Sequence, residues 1–382
     1  MEKLPVDKIY SQSIVIPFHK NKALLEYSLN TLMSTIPSQV EIIVVANNID
    51  SREIDLNLEY DNLRIIKIND NLLYSKAANI GVSAASGEIV TLCDQDLFYE
   101  ENWYTELLNF LINHPRAGAV SAKLLNPHNN RIIDFGIAYS KQTIVHPSRG
   151  MKADHPLVKN NRKVSSACGA VLMTYKKLYE EVGGMDLSMP YICCDCDYGI
   201  QLQKRNLETW VISSSIVYHI GNSSRANTKI SSYEYLRSDS KAMFFAKDYH
   251  FIQTDLPDWI NKNVNFFLQE HDMRKYYYLF NLSLVSDFEW YKEHIMHLMD
   301  VEFYDIFNIN INNALSNNTI SLYNIMPLSM LNVNEPIIYF VDSFCHLFDN
   351  YYWWKMRNYW NDIIIDQHGN IFHAKNIVER TC

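Results

Sequence analysis

No stretch of this 382-residue sequence approaches the roughly 18 consecutive apolar residues that a membrane-spanning helix needs. The opening segment, Met1 to Gln12, also lacks the apolar core of a secretory signal. A soluble protein is therefore expected, cytoplasmic or lying peripherally at the inner face of the membrane. Excess positive charge is missing as well: 34 Lys+Arg stand against 43 Asp+Glu, a net charge of -9. Without a broad positive field the chain has no general attraction to nucleic acid, and no nucleic-acid partner is expected. Cysteines are few and odd in number, seven, with three crowded at Cys193, Cys194 and Cys196. This is no disulfide framework, and the spacing offers no pair of C-x2-C steps for a structural zinc, so reduced thiols follow. Neither a G-x-x-x-x-G-K-S/T phosphate loop nor a G-x-S-x-G nucleophile elbow is present, which removes the main support for P-loop phosphoryl transfer and α/β-hydrolase chemistry.

What is present is apolar. Hydrophobic residues make up 48% and aromatic residues 13%, against 20% charged, so most of the chain folds around a core rather than staying disordered. Its length exceeds the usual single domain. The β-branched run Ser13-Ile14-Val15-Ile16-Pro17 reads as a buried strand with a sharp exit. Leu25, Leu29, Leu32 and Ile36 then fall at helical spacing and are closed off by Pro37. A second buried strand, Glu41 to Val45, follows, then a polar loop from Asn47 to Arg52, a strand at Leu63 to Ile68, a helix near Ser75 to Ala85 and a strand at Glu88 to Cys93. Trp103, Leu107 and Leu111 mark a further helix ending before Pro115. Strands alternating with helices predict an α/β fold, a mostly parallel sheet covered on both faces, with ligands off the carboxyl ends of the strands. Further helices are expected at Tyr175 to Val182 and from about Asp197 to Arg205, beyond a Gly/Ser-rich turn at Ser165 to Gly169. Past residue 250 the texture turns to Asn, Tyr, Phe, Trp and Ile, which marks a separate C-terminal module.

Two carboxylates, Asp94 and Asp96, stand on the tip of the strand that ends at Cys93, with Gln95 between them pointing elsewhere. Hard oxygen ligands there suit Mg²⁺ or Mn²⁺ bridging a diphosphate. On its own the triplet reads equally well as a solvated turn with an Asp capping the next helix.

The surrounding segments resolve this. Ser13 to Pro17 with its helix, Glu41-Ile42-Ile43-Val44-Val45-Ala46-Asn47-Asn48, Ala77-Ala78-Asn79-Ile80-Gly81 with Ala85 to Glu88, Asp94-Gln95-Asp96, Gly183-Gly184-Met185-Asp186 and Cys194-Asp195-Cys196-Asp197 occur in one order. Together they resemble the inverting glycosyltransferases of family 2, whose GT-A fold binds nucleotide sugars; the resemblance spans roughly Ser13 to Ser224. It implies a GT-A domain over residues 1–250, its nucleotide-sugar half about 1–115 and acceptor half about 116–250; beyond it, residues 251–382 are expected to form the separate aromatic-rich module, mainly helical. It implies Asp96 as direct metal ligand, Asp94 facing the ribose or reaching the metal through water, and His219, after a β-like run, completing the sphere of Mn²⁺ or Mg²⁺. Asp195 matches the catalytic base. Pro17, Asn79 and Gln95 match positions around the donor, Lys76 one near its diphosphate, and Gly169 a loop under the donor sugar. Lys76 reads equally as a solvated helix lysine, Gly169 as an ordinary turn, and Asp195 or Asp197 as a plain helix cap.

Two positions depart from the family pattern. Cys194 replaces the glutamate before the base, and Ala46 replaces the aspartate that contacts the nucleobase, leaving Asn47 or Asn48 to offer amide groups. The activity implied is metal-dependent, inverting transfer of a hexosyl or N-acetylhexosaminyl group from a nucleotide sugar, a UDP-sugar first, to a hydroxyl of a glycan or lipid-linked acceptor in surface polysaccharide or glycoconjugate synthesis. The alternatives are a retaining enzyme of the same fold, or a degenerate domain that binds a nucleotide or partner without turnover. The aromatic runs Tyr276-Tyr277-Tyr278 and Tyr351-Tyr352-Trp353-Trp354 suit a packed core or a homo-oligomer interface better than a peripheral membrane face, because no strongly basic amphipathic helix surrounds them.

Overall fold

A computed structural model describes residues 11–49, 56, 60–139, 144–221, 230–248, 250–252, 278–281, 305–308, 337–341, 362–366, 368 and 370–373. The chain divides into two units, the first taking in Met1–Ile137 and Ser148–Phe251, the second Ala138–Pro147 and Ile252–Cys382.

In the first unit, β1 (Gln12–Phe18) leads into α1 (Lys22–Thr35), then β2 (Glu41–Asn47), β3 (Leu63–Ile68), α2 (Leu73–Ala84) and β4 (Ile89–Cys93). These strands pair in parallel in the order β3-β2-β1-β4. The continuous apolar run of β1 is explained by burial on both faces. Ile14, Ile16 and Phe18 join Leu25, Leu29 and Leu32 of α1 in one core, while the intervening Val15 meets α2, where a side chain at Gly81 would come within 2.2 Å of its Cγ1. α1 stops where expected, with Ile36 already extended ahead of Pro37.

The chain continues through β5 (Leu97–Tyr99), α3 (Trp103–Asn113), β6 (Ala117–Leu125), β7 (Ile132–Asp134), β8 (Ala138–Tyr139), β9 (Ile144–Val145), β10 (Arg162–Val164), β11 (Val171–Tyr175), α4 (Lys176–Glu181), α5 (Cys194–Gln203), β12 (Glu208–His219) and α6 (Ile230–Asp248). The full ten-stranded sheet runs β10-β12-β6-β11-β4-β1-β2-β3, with β5 on β12 and β7 on β6. β11 inserts antiparallel between β4 and β6, and β6 and β12 are parallel. Trp103, Leu107 and Leu111 of α3 are buried in the same core as α1. On the other face, Thr174 of β11 hydrogen-bonds Tyr198 of α5 at 2.9 Å. This is the α/β architecture with both faces covered that the alternation predicts.

Among the described residues, the second unit holds the two-stranded β8-β9 hairpin and a five-stranded sheet. That sheet consists of β13 (Tyr278–Asn281), β14 (Asp305–Asn308), β15 (Ile337–Val341), β16 (Ile363–Asp366) and β17 (Ile371–His373), in the order β14-β13-β15-β16-β17, all parallel but the last pair. The helices expected after residue 250 and the run Tyr351 to Trp354 lie outside the described residues. No helix among the described residues is long and apolar enough to cross a membrane.

Candidate active site

Strand pairing assembles the metal-ligand set. Asp94 and Asp96 leave the carboxyl end of β4, and β5 begins immediately after them. β5 pairs antiparallel with the end of β12 in the register His219↔Leu97, and the Ile220 N–H donates to the Asp96 carbonyl at 3.2 Å. The ladder therefore delivers His219, from far along the chain, to the residue beside Asp96. Its Nε2 lies 3.3 Å from Asp96 Oδ1 and 3.5 Å from Asp94 Oδ2. Two ligands about 2.1 Å from one small cation and at right angles are about 3 Å apart, so these spacings suit such an ion. Two carboxylates with one imidazole fit Mn²⁺ or Mg²⁺ better than a thiolate-seeking metal, and among the described residues no cysteine joins a candidate metal cluster.

Burial pushes the Asp94 carboxyl up to about 6; the nearby His219 lowers it, and the charges of Asp96 and Asp195 raise it. For His219, burial disfavours the imidazolium, but the Asp96 hydrogen bond and the charges of Asp94 and Asp96 outweigh it and raise the pKa. A bound dication would take the place of the proton that holds this acidic set together.

Asp195 is reached through the loop before β11. Its Oδ2 accepts the Gly169 N–H at 2.9 Å and its Oδ1 the Cys196 N–H at 2.9 Å, while its carbonyl accepts from Ser166 Oγ at 2.6 Å. It stands in the first turn of α5 with Asp197, where the helix dipole favours negative charge. The next residue of the loop, Ala170, accepts the Asp94 N–H at 2.9 Å. Consecutive residues, Gly169 and Ala170, thus hold Asp195 on one side and the metal-ligand turn on the other. A Cβ at Gly169 would stand 3.3 Å from Asp195 Cβ and 3.4 Å from the Tyr74 hydroxyl, so the approach leaves little room for one.

The other residues singled out in the sequence are placed as follows. Gln95 Oε1 accepts the His19 N–H at 2.9 Å and its Nε2 donates to the Lys20 carbonyl at 2.6 Å, which pins the exit of β1 to the acidic turn. Pro17 is half-buried in β1 opposite Val45. Ala46 is buried in the core, where an aspartate would be unpaired. The Asn47 amide is committed to the turn before α2: its Oδ1 accepts the Leu72 N–H at 2.8 Å and its Nδ2 donates to Asn71 Oδ1 at 3.1 Å. Asn48 is exposed with φ 58 at the end of β2, and Lys76 is exposed in the first turn of α2. Asn79 clamps the glycine turn, donating to the Met185 carbonyl at 2.8 Å and accepting the Met185 N–H at 2.9 Å and the Tyr179 hydroxyl. Gly184, at φ +67, lies so close to Asn79 Oδ1 that a Cβ would be 2.6 Å away.

Two residues near the site were not legible in the sequence. Tyr74, half-buried in α2, donates from its hydroxyl to the Gly169 carbonyl at 3.0 Å, fixing the loop that holds Asp195. Arg149 anchors its Nε on the Ile133 carbonyl at 3.2 Å and carries its charge close enough to His219 to oppose protonation there. No spacing rule marks either, since each acts through a loop that only the fold brings near. Cys194, in the place of the family's glutamate, is buried beside Ser75, and burial with the Asp195 charge holds its thiol protonated.

Residues 13–182 match the family model for glycosyl transferase family 2. This segment is a family 2 glycosyltransferase domain. The O-antigen biosynthesis protein RfbC of Myxococcus xanthus is 23% identical over 247 residues, 61% of this chain but only 19% of that protein's length. Among solved structures, GalNAc-T7 with UDP, GalNAc and Mn²⁺ aligns at a TM-score of 0.48 and 13% identity, covering 66% of this chain and 59% of the other. The mannosyltransferase PcManGT of Pyrobaculum calidifontis, in complex with GDP-Man and Mn²⁺, aligns at 0.46 and 14%, covering 68% and 69%. The mixed, mostly parallel sheet of the glycosyltransferase domain is the α/β arrangement expected of a GT-A fold.

Proposed function

We propose that the protein is a metal-dependent, inverting glycosyltransferase that moves a sugar from a nucleoside-diphosphate donor to a hydroxyl of a glycan or lipid-linked acceptor in surface polysaccharide or glycoconjugate synthesis. One observation carries this reading: Asp195 and the turn bearing Asp94 and Asp96 hang from adjacent residues, Gly169 and Ala170. Inversion needs a base and a diphosphate-holding group on opposite sides of one sugar, and this loop supplies both edges of such a slot.

Asp94, Asp96 and His219 would hold a divalent cation, which stabilises the charge that develops on the departing diphosphate. Asp195 receives the proton of the acceptor hydroxyl as that oxygen bonds to the anomeric carbon and the carbon–phosphate-oxygen bond breaks, its electron pair leaving with the diphosphate. The Gly169 and Cys196 N–H groups, one on each carboxylate oxygen, orient Asp195 for that task. Arg149 adds a fixed positive charge on the leaving-group side, beside His219.

A thermal-shift panel of UDP, GDP, dTDP, CDP and CMP, with and without Mn²⁺, repeated on Asp96→Ala, tests the donor site. One nucleoside diphosphate is expected to raise the melting temperature only with metal, and the variant to lose that response. The same stabilisation by nucleotide in Asp96→Ala, or none with any nucleotide, would sink the reading.

A further inference from the structure

Twelve residues, Asp186 to Asp197, carry the chain from the glycine turn to the first turn of α5 and include Asp195. Both ends of this segment meet on one ammonium group. Lys247 Nζ, in the last turn of α6, binds Asp186 and lies 2.7 Å from Asp197 Oδ1. A helix-terminal lysine beside a surface carboxylate ordinarily does little. Asp197 is different: it is only 2% exposed and sits two residues beyond Asp195 on the same helical turn, so removing Lys247 would leave a buried carboxylate without its ion pair.

Around this bridge the groups alternate in sign. Asp197 Oδ1 also accepts from Gln201 at 3.0 Å, and the buried Asp248 accepts from Lys204 at 3.0 Å. Burial, and then contact with Asp197, pushes the Asp248 carboxyl up to about 6. The middle of the segment is held from the donor half of the sheet, Ser75 Oγ donating to the Met189 carbonyl at 2.7 Å and Ser75 N–H to the Pro190 carbonyl at 3.1 Å. Its two ends, in contrast, share Lys247.

We infer that Lys247 is a positioning residue for the proposed base: by closing Asp186 onto Asp197 it fixes the first turn of α5, and with it the Asp195 carboxylate, against the acceptor hydroxyl. The inference rests on Asp195 acting as base in sugar transfer. The two carboxylates that Lys247 binds, Asp186 and Asp197, are not among the candidate metal ligands Asp94, Asp96 and His219, so its effect is expected on the transfer step. Displacements of about 1 Å at a reacting group are enough to cost a hundred-fold in rate.

The test uses the full chain with its donor and acceptor, comparing wild type, Lys247→Met, Lys247→Arg and Asp186→Asn. In Lys247→Met, kcat is expected to fall about ten-fold or more, equivalent to about 1.4 kcal/mol, while the Kd for the Mn²⁺-nucleotide stays within about two-fold. Lys247→Arg should recover much of the lost kcat, because a guanidinium also spans two carboxylates. Asp186→Asn, which opens one end only and leaves the buried pair intact, should show the same split at smaller size and remains informative if Lys247→Met does not fold. An unchanged kcat in both Lys247→Met and Asp186→Asn would overturn the inference alone. So would parallel losses of nucleotide affinity, melting temperature and kcat, which describe a merely structural tie. A wild-type chain that transfers no sugar would instead remove the reading on which the inference stands, and the inference with it.

Discussion

A hydrogen bond from the Gly169 N–H to Asp195 Oδ2 asks for a backbone that can lie almost against a carboxylate. A methyl carbon on Gly169 would stand 3.3–3.5 Å from the nearest atoms of Asp195 and Tyr74, so Gly169→Ala forces the loop or Asp195 to give by a few tenths of an ångström. Transfer is therefore expected to fall about ten-fold while Mn²⁺-nucleotide binding, which uses the opposite edge of the slot, holds within about two-fold; paired kcat and Kd measurements check it. At this scale the sequence marked residues that the fold does bring together. Asp94, Asp96 and His219 stand together, and Asp195 is beside Gly169. Which amides are already spent left no mark in it. Asn47 and Asn79 are both buttresses of backbone turns, a fact set by partners some 25 and 106 positions away in the chain. Nor could it mark Tyr74 or Arg149, whose neighbours come from other loops.

Among the elements, β2 shows how one carboxylate can join three segments. Glu41 accepts from Ser13 Oγ of β1 at 2.6 Å and from the N–H and hydroxyl of Ser86, both at 2.8 Å, and pairs with Arg64 of β3. Burial works against its charge, but these bonds prevail and pull the carboxyl down to about 2. Because the folded pKa lies below the unfolded one, the stabilisation is fully present above about 4.5 and is lost as pH falls toward 2. Glu41→Gln is expected to cost about 1–2 kcal/mol at neutral pH, allowing for solvent screening of the partly exposed pair with Arg64. The gap between the thermal melts of wild type and variant should narrow progressively as the pH falls from about 4.5 toward 2; a gap that stays constant over that range contradicts the assignment.

The long parallel strands and the amphipathic helices were readable because burial on both faces, or on one stripe, writes itself into periodicity. Leu25, Leu29 and Leu32 are an instance. β5, only three residues long, carries no such pattern, yet its pairing with β12 is what brings His219 to Asp96. In the second unit the runs Ile337 to Val341 and Ile363 to Asp366 are β-branched and aromatic, the composition of buried parallel strands, a signal that the general Asn and Tyr richness of the segment masked.

For the whole molecule, every candidate site residue falls in the first unit, on β1, β2, α2, the turn after β4, the loop before β11, α5 and β12. The division of labour proposed for residues 1–250 and 251–382 assigns the chemistry to this unit. Both the ladder that delivers His219 and the loop that delivers Asp195 cross from one half of that sheet to the other, so the slot exists only when the unit is folded as a whole.

The central claim is that Asp195 takes the acceptor proton, and the most direct measurement is sugar transfer by Asp195→Asn set beside its Mn²⁺-nucleotide affinity. Asparagine keeps the size and one acceptor oxygen but turns an NH2 toward one of the two backbone donors, so a melting curve accompanies the assay. Nucleotide affinity within about two-fold of wild type, with transfer reduced by about 10²–10⁴-fold, is the predicted result. Transfer at the wild-type rate by the folded variant would contradict the account.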